Sequence, residues 1–351
     1  MFLNIFINLK KIYAKLFSEE TRANIRFARK NNIFLKAILA PFNYIKEKLW
    51  LLYCYFNPYE LSDYLFYKMF HRHINWENPS DLSEKMQWLK FYTDTSKWTE
   101  LADKYKVREW VKSKGLGHIL NELYAVFKNE KEIDLSKLPN SFVLKLNNGC
   151  RDRLLIENKE QVNLRDIQKH FKKNRKNVSH FARLAEHYYL KIKPCVIIAE
   201  KLLIDNKSAS DLLIDYKFFC FHGEPKYVET INGRLKKSQD TYIMQVFDMD
   251  WNYLEDVVKE LPPKINTDNK NFFCPKPESF EEMKKICRIL SADFPFVRVD
   301  LYEIDGKPVF GEMTFTPDAG RKDDYVDDFL YKMGSDIDLT KVNKLKKRNR
   351  S

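Results

Sequence analysis

Two short segments near the C-terminus, residues 296–302 and 309–315, place the strongest constraint on the fold. Each segment alternates polar and apolar residues, which is the period of a β-strand with one buried face, and the intervening Asp305-Gly306 pair is typical of a hairpin turn. We therefore predict an antiparallel hairpin with one polar, charged face. The polar side of the first strand carries Arg298, Asp300 and Tyr302, and the polar side of the second strand carries Glu312 and Thr314.

The register of this hairpin decides what its charged face can do. A two-residue turn puts the carboxylates of Asp300 and Glu312 on opposite faces. A three-residue loop, residues 304–306, pairs Arg298 with Glu312 and leaves Asp300, Glu312 and Thr314 on one surface. Two carboxylates and a hydroxyl suit Mg²⁺, which prefers hard oxygen ligands and keeps phosphate or water oxygens in its other positions. The alternative is a solvated sheet face with an Arg298–Glu312 cross-strand ion pair.

The rest of the chain mixes predicted helices and strands without a regular βαβ order. One helix begins at Asp81, where Glu84 completes a capping box, and continues to about Tyr92. Further helices are predicted over residues 99–114, ending at Gly115 or Gly117, and over residues 278–291. Further strands are predicted over residues 142–146, 196–203, 216–221 and 227–231. This order predicts an α+β fold, and the chain has no GxGxxG, GxxxxGKS or GxxxxGKT string to support Rossmann or P-loop chemistry.

The formal charge of the chain lies at its two ends. The 351 residues carry a net charge of +12; the first 60 residues, with 10 basic and 4 acidic side chains, and the last eleven contribute +6 each. The neutral body argues against nucleic acid as a partner, because nucleic-acid binding requires a basic stripe on the folded domain. The six cysteines are scattered without metal-binding spacing, which favours reduced thiols and a cytoplasmic location.

Length predicts about two domains, enough for a cleft between two lobes. We divide the chain into a basic, aromatic helical extension at 1–60, a mainly helical region at 61–137, a small lobe at 138–203, a large lobe at 204–335 and a basic tail at 336–351. Two interpretations of the extension stay open. It lies on an anionic membrane face as an amphipathic segment, or it packs on the body as a helical layer with solvated cations. The tail from Lys344 to Arg350 is predicted to be a disordered, solubilising end.

Lysines within apolar segments form a second group of candidate site residues. Lys145 lies in the predicted strand 142–146, where a buried cation needs an anionic partner. The following Asn148 and Gly149 belong to a loop that can offer N–H groups to phosphate. Lys104 opens the helix predicted over 99–114, and Lys217 lies among aromatic residues. Taken singly, each lysine is equally compatible with a structural salt bridge or an edge strand whose lysine extends to solvent.

Taken in order, these segments resemble an ATP-grasp enzyme, and more narrowly the TupA-like ATP-grasp family, which is tied to teichuronopeptide and other surface-polysaccharide biosynthesis. The matching strings lie roughly within residues 65–335 and are specific as an ordered set. They are Asn78-Pro79 with Leu82–Lys85, Asp103–Tyr105 with Val107–Glu109, Leu138-Pro139 with Phe142–Lys145, Ala199–Leu202, Asp215–Phe218, Phe296–Tyr302 and Phe310–Pro317.

The resemblance implies a role for each matching residue. It implies that Lys104 and Lys145 bind ATP phosphates, and that Glu200 reads adenine with the backbone of the hinge Lys201, Leu202 and Leu203. It implies that Asp300 and Glu312 hold Mg²⁺, with Thr314 in the position where many relatives have Asn. It implies that Arg298 and Lys217 stabilise charge on the transferring phosphoryl group, with Arg234 a weaker candidate, and that residues 316–321 form a substrate loop.

One segment departs from the family pattern. The loop after the lysine strand, residues 147–153, lacks the His and the additional glycines of the family. Fewer glycines predict a stiffer loop, in which Arg151 or Arg153 replaces backbone contacts to phosphate.

The activity implied is that of an ATP-dependent carboxylate–amine ligase that forms an amide through an acyl-phosphate. The implied partners are a sugar-acid or glycan carboxylate and an amino acid or amine, and the implied location is the cytoplasm, with peripheral attachment to the inner membrane face as an option. Two alternatives remain. One is a glycosyltransferase of the same pathway, which would use the Asp248-Met249-Asp250 string, predicted to lie in a turn. The other is a non-catalytic, membrane-associated assembly protein with a decayed ATP site.

Overall fold

A computed structural model describes residues 33–149, 152–175, 179–204, 213–232, 242–259 and 274–345, with the side chains of the first helix described from residue 44 onwards. The fold is α+β, as predicted. The helices are α1 (Ile33–Phe56), α2 (Pro58–Phe70), α3 (Leu82–Tyr92), α4 (Ser96–Leu101), α5 (Val107–Ser113), α6 (Leu164–Asn174), α7 (Ser179–Arg183), α8 (His187–Leu190), α9 (Phe280–Ser291) and α10 (Asp327–Ser335). The strands are β1 (Leu123–Phe127), β2 (Phe142–Leu146), β3 (Leu154–Ile156), β4 (Ile197–Glu200), β5 (Asp215–Phe221), β6 (Glu224–Asn232), β7 (Ile243–Phe247), β8 (Phe296–Ile304) and β9 (Lys307–Thr314).

The smaller sheet is antiparallel throughout, with strand order β1-β4-β2-β3. The strand predicted over residues 142–146 is confirmed as β2, and it alternates: Phe142, Leu144 and Leu146 are buried against α6, and the intervening Lys145 lies on the open face. The sheet takes in β1, which precedes the predicted start of the small lobe. Strand β4 ends at Glu200 rather than continuing to Leu203, and the Lys201 N–H donates the last hydrogen bond towards β1, to the Glu122 carbonyl at 3.0 Å.

The larger sheet is also antiparallel, with strand order β7-β6-β5-β8-β9. Helix α9 covers one of its faces, where the rings of Phe218 and Phe280 lie 6.0 Å apart. On the opposite face, four side chains form a row across adjacent strands. The row consists of Glu312, Asp300, Lys217 and Glu229, each directly opposite the next in register.

The hairpin predicted from sequence is confirmed, but the three-residue loop is wrong. Ile304 pairs with Lys307, so the turn contains only Asp305 and Gly306, both with positive φ. The register then shifts by one residue between Asp300 and Leu301, where Gly311 is left unpaired as a bulge. The bulge turns Glu312 to the face of Asp300, which the turn alone would have prevented. Arg298 accordingly pairs with Thr314 and not with Glu312.

The helix predicted over 99–114 is broken, and Lys104 lies in the break rather than on a helix. Helices α4 and α5 are separated by residues 102–106. The Asp103 carboxylate accepts hydrogen bonds from the N–H groups of Tyr105, at 2.9 Å, and Lys106, at 3.2 Å, so a side chain takes the place of backbone partners. The end of the helix is as predicted, because Gly115 follows α5 with a φ of +78°. The helix at Asp81 is also confirmed, with the Asp81 carboxylate accepting from the Glu84 N–H.

Helix α1 packs on the body through one face. Trp50, Leu51 and Cys54 pack with Leu61 of α2 and Ala182 of α7, and Arg183 donates to Glu47 at 2.6 Å. A helical layer on the body, one of the two interpretations of the N-terminal extension, is present over this part of the chain. Among the residues described, none of the helices is both long enough and apolar enough to cross a bilayer. The predicted disordered tail lies largely outside the described residues.

Candidate functional site

Asp300 lies at the centre of the candidate site, on the open face of the larger sheet. Arg298 binds it with two hydrogen bonds, from Nε to Oδ1 at 2.7 Å and from Nη2 to Oδ2 at 2.8 Å. Lys217, directly opposite on β5, donates to Oδ2 at 2.8 Å. Both carboxylate oxygens of Asp300 are therefore occupied by cationic groups, and only about 3% of the residue is exposed.

Glu312 forms the second carboxylate of the site and contacts a different cation. Lys104 Nζ donates to Glu312 Oε2 at 3.0 Å, and Arg298 Nη2 lies 4.0 Å from Oε1. The Lys104 ammonium holds the pKa of the Glu312 carboxyl well below its usual range against the effect of burial, and Lys217 and Arg298 act in the same direction. Burial lowers the pKa of Lys104, but the attraction of Glu312, together with Tyr189 and Asp152, outweighs burial and raises this pKa overall.

The charges of this cluster balance. Lys104, Lys217 and Arg298 face Asp300, Glu312 and Asp215, whose carboxylate lies 3.7 Å from Lys217 Nζ. Burial lowers the pKa of Lys217, and the carboxylates of Asp215 and Asp300 more than compensate and raise it. All three cations are therefore charged at neutral pH.

The chemistry of the donor set fits Mg²⁺. Asp300 and Glu312 lie directly opposite each other, and the Thr314 hydroxyl is near enough to accept from Arg298 Nη2 at 3.3 Å. Within the described residues, no group of three or more His, Cys, Asp or Glu side chains is arranged to hold a metal. Two carboxylates are nonetheless what Mg²⁺ ordinarily takes from a protein when phosphate oxygens and water complete its coordination. The oxygens of these carboxylates are bonded to Arg298, Lys217 and Lys104, so the metal would have to displace these cationic groups.

Asn147 joins the Lys104 turn to the smaller sheet. Its carbonyl accepts from the Lys104 N–H at 2.9 Å, and its amide Nδ2 donates to Asp103 at 2.9 Å and to the Pro194 carbonyl at 3.0 Å. Its Oδ1 accepts from the Val196 N–H at 2.9 Å. The side chain is buried and its hydrogen bonds fix Lys104 at the end of β2, beside β9 of the other sheet.

Lys145 and Glu200 form a second group on the open face of the smaller sheet. Lys145 Nζ lies 2.6 Å from Glu200 Oε2, and Arg108 Nη1 lies 3.1 Å from Oε1. Arg108 Nη2 also donates to the Asn121 carbonyl at 2.7 Å. Sequence reasoning did not single out Arg108 as a site residue, although it follows Lys104 by four residues, one helical turn.

The remaining predicted nucleotide-binding residues lie near this second group. Leu202 and Leu203 are half-buried directly after Glu200, and the Lys201 carbonyl accepts from Asn121 Nδ2 at 2.9 Å. The Asn148 side-chain oxygen accepts from the Cys195 thiol at 3.2 Å. Gly149 approaches Asp152 so closely that an added Cβ would lie 2.1 Å from its carboxylate. Arg234 and Arg151 lie outside the described residues.

The predicted substrate loop is held by two buried networks that the sequence did not reveal. In the first, Lys322 Nζ lies 2.9 Å from Glu229, 3.2 Å from Asp318 and 2.8 Å from Asp324. In the second, Lys90 pairs with Glu186 at 2.9 Å, and Glu186 also accepts from the Thr316 hydroxyl.

These networks hold a strained backbone. Asp318 and Ala319 have consecutive positive φ values of 51° and 56°, a conformation that costs free energy in residues other than glycine. Gln87 Nε2 stabilises it by donating to the Ala319 and Gly320 carbonyls at 2.9 and 2.8 Å. For the Lys322 network, the available sequence signal was a lysine followed closely by acidic residues.

The Asp248-Met249-Asp250 string lies in a turn, as predicted. The Asp248 carboxylate accepts from the N–H groups of Asp250 and Asn252 at 2.9 and 2.8 Å, and from Asn252 Nδ2 at 2.9 Å. These hydrogen bonds are those of an Asx turn, so Asp248 has a structural function in the turn itself.

The comparisons with known proteins assign the chain to a class and a family. A family model described as TupA-like ATPgrasp matches residues 84–338, which is most of the chain and includes both groups of site residues. This match identifies the chain as an ATP-grasp protein. The chain belongs to the TupA-like ATP-grasp family. No curated protein matches it.

Solved structures similar to this chain are distant. The D-alanine–D-alanine ligase from Bacillus anthracis complexed with ATP shares 14% identity at a TM-score of 0.38, over 69% of this chain and 65% of that one. The L-amino acid ligase from Bacillus licheniformis shares 13% identity at a TM-score of 0.39, over 66% of this chain and 48% of that one. The chain thus spans less than two thirds of the length of either structure, and the assignment rests on the family match.

Proposed function

We propose that this protein is an ATP-dependent ligase that joins a carboxylate to an amine through an acyl-phosphate. The observation that carries the proposal is the meeting of Lys104, Lys217 and Arg298 around Asp300 and Glu312. Phosphoryl transfer requires positioned cations more than a protein nucleophile, because the protein's task is to neutralise and align the transferring group.

The ion pairs of the site suggest how nucleotide is accommodated. A neutral cluster has no excess charge to repel ATP, and each of its cations can exchange a carboxylate partner for a phosphate oxygen. The carboxylates of Asp300 and Glu312 are released by that exchange and can hold Mg²⁺, with Thr314 beside them. Bound Mg²⁺ supplies neutralisation of the charge on the β- and γ-phosphate oxygens. Lys145, Arg108 and Glu200 provide the corresponding charged surface on the smaller sheet.

The reaction has two balanced steps. A carboxylate oxygen of the acceptor attacks the γ-phosphorus, the bond to the β–γ bridging oxygen breaks, and ADP leaves. The amine nitrogen then attacks the acyl carbon, inorganic phosphate leaves, and the nitrogen loses a proton to give the amide. Arg298 and Lys217 are positioned to stabilise the transferring phosphoryl group during the first step, because both lie at the centre of the site.

We further propose a sugar-acid or glycan carboxylate as the acceptor and an amino acid or another amine as the donor, in capsular or cell-wall polysaccharide assembly. The family resemblance supports this substrate class. The proposed location is the cytoplasm, at the inner face of the membrane. The glycosyltransferase alternative loses support, since the Asp248 carboxylate is engaged within its own turn.

The test is ADP release screened against uronic acids paired with amino acids. Addition of hydroxylamine should trap the acyl-phosphate as a hydroxamate when the amine is omitted. Lys145→Ala and Glu312→Ala should each abolish ADP release, while Lys112→Ala, which removes an exposed lysine of α5, should leave it unchanged. Wild-type rates of ADP release in both site variants would overturn the assignment, and a requirement for nucleotide-sugar in place of ATP would favour the glycosyltransferase.

A further inference from the structure

The outward face of α1 is an exposed row of large apolar side chains. Six such residues are between 47% and 69% exposed, and they recur at the three- and four-residue spacing of one helix face: Tyr44, Ile45, Leu49, Leu52, Tyr55 and Phe56. A contiguous apolar surface of this kind on a folded protein marks a site of interaction. We call these six residues the α1 row.

The body cannot cover this row, because the opposite face of the same helix is already packed against it. The Tyr53 hydroxyl donates to Glu60 of α2 at 2.8 Å, and Cys54 is fully buried beside Ala182 and Ala185. The Arg183–Glu47 ion pair further fixes the rotation of α1 about its axis. Tyr55, at the edge of the row, lies with its ring 5.7 Å from that of His187 on α8, and the rest of the α1 row faces away from the described body.

The charges around the row identify the surface that it fits. At about 100° per residue, Lys46 lies beside the α1 row, and Lys48 lies within its arc between Tyr55 and Leu52. Across residues 33–56 the sequence has three lysines and a single glutamate, Glu47, which is paired with Arg183. The whole 60-residue N-terminal segment has a net charge of +6. Apolar side chains flanked by lysines are characteristic of helices that lie in the interface of an anionic bilayer.

A second copy of the chain fits the same row less well. Pairing two copies through α1 would bring two strongly basic segments together, and like charges facing each other across an interface oppose association. Anionic lipid headgroups reverse the sign of this interaction, because each lysine near the surface then gains favourable free energy.

We propose that α1 lies on an anionic lipid surface, with the α1 row inserted at the boundary of headgroups and acyl chains and Lys46 and Lys48 at the headgroups. This gives the membrane location in the proposed function a specific surface. Of the proposed function, this inference depends only on the membrane location. Its test uses no ligase activity, so failure of the membrane inference and failure of the ligase proposal can be recognised separately.

The experiment is co-sedimentation of the full-length chain with vesicles of equal parts phosphatidylglycerol and phosphatidylcholine, compared with vesicles of phosphatidylcholine alone. The wild-type chain should sediment with the anionic vesicles, and increasing salt should weaken the binding. The double variant Leu49→Glu/Leu52→Glu should reduce vesicle affinity at least about tenfold, since it removes two inserted side chains and adds two negative charges.

The matched control is Ile289→Glu/Tyr331→Glu. It makes the same change of charge at two apolar residues that are 40% and 46% exposed on α9 and α10. This control should bind the anionic vesicles as the wild-type chain does. Circular dichroism of each variant checks that it is folded, and the lipid and salt dependence of the wild-type chain tests the proposal without any substitution.

Three outcomes would overturn the proposal. The first is no sedimentation of the wild-type chain with anionic vesicles. The second is equal loss of binding in the α1 variant and the control. The third is a wild-type dimer in sedimentation velocity that the α1 variant converts to a monomer while vesicle binding stays absent, which would assign the row to self-association.

Discussion

Asp300 and Glu312 lie directly opposite each other on β8 and β9, and they do so only because Gly311 forms a bulge between them and the turn. Without the bulge, the two-residue turn would continue its register along the hairpin and place the two carboxylates on opposite faces of the sheet. A single additional residue thus decides whether Lys104, Lys217 and Arg298 can meet both carboxylates on one surface.

Substitution of Gly311 should therefore disrupt the arrangement of Asp300 and Glu312, although Gly311 is not itself one of the site residues. A Cβ at this position would lie 2.8 Å from the Asp300 carbonyl oxygen, closer than real contacts allow. We expect Gly311→Ala to lower the free energy of unfolding by about 1–3 kcal/mol and to reduce ADP release by a larger factor than stability alone explains. Chemical denaturation and the ADP assay measure the two effects. Wild-type activity in a stable variant would contradict the role given to the bulge.

Arg108 should contribute to nucleotide binding through Glu200. It supplies one of the two cations that hold the Glu200 carboxylate, the other being Lys145. Since a charge-assisted hydrogen bond contributes about 1.5–3 kcal/mol, Arg108→Met should raise KM for ATP by roughly tenfold or more. The rate at saturating ATP should change little. A fall in kcat with unchanged KM would show that Arg108 acts on chemistry instead of on binding.

The Lys90–Glu186 pair, which contacts Thr316 of the predicted substrate loop, should be important for stability. Both side chains are buried, so Glu186→Ala leaves a buried ammonium without its partner, at a cost of about 3–5 kcal/mol in the free energy of unfolding. The double variant Lys90→Met/Glu186→Ala should recover much of this loss. Glu100→Ala, which breaks the exposed Lys97–Glu100 pair, should cost less than about 1 kcal/mol. A double variant no more stable than Glu186→Ala would contradict this explanation.

Stability should fall in mildly acidic solution because of His222. Its Nε2 accepts a hydrogen bond from the Asp338 N–H at 2.9 Å, which only the unprotonated nitrogen can do. Burial lowers the pKa of His222, and the nearby Lys341 adds to the effect. The folded state thus binds this proton more weakly than the unfolded state, so the contribution is present above about pH 6.5 and is lost as the pH falls through the lower, folded pKa.

Thermal unfolding measured against pH tests this prediction. His222→Asn keeps an acceptor that does not titrate, so the acid-dependent loss should be smaller than in the wild-type chain. His118→Asn removes an exposed histidine and should leave the wild-type profile unchanged. Identical profiles for the wild-type chain and His222→Asn would show that other groups govern the acid sensitivity.

Metal binding should depend on nucleotide. Arg298 and Lys217 occupy both oxygens of Asp300, so Mg²⁺ alone must break these ion pairs without a replacement partner for the cations. With a non-hydrolysable ATP analogue present, the phosphates take up the cations. Calorimetric titration should therefore show Mg²⁺ affinity at least about tenfold higher with the analogue than without it. Equal affinities would exclude this exchange of partners.

The local periodicities could be predicted from the sequence, but the contacts between distant segments could not. The alternation of β8 placed Arg298 and Asp300 on the same polar face of the hairpin, because side-chain direction follows directly from a period of two. The bulge at Gly311 could not be deduced from the turn, since it depends on how β9 packs beside β8. The break at residues 102–106 was missed for a similar reason: the Asp103 side chain is held by Asn147, which follows β2 and is 44 residues away in the sequence.

The position of Lys104 has a consequence for the relation between the two sheets. Its backbone is bonded to Asn147 at the end of β2, while its side chain is bonded to Glu312 on β9. This one residue therefore connects the smaller and the larger sheet through an ion pair that ATP phosphates would compete for. We therefore expect nucleotide binding and the spacing of the two sheets to be thermodynamically linked, because phosphates that take up the Lys104 ammonium would release a contact between the sheets. Small-angle scattering of the wild-type chain and Lys104→Met, each with and without nucleotide, would measure that linkage as a change in radius of gyration.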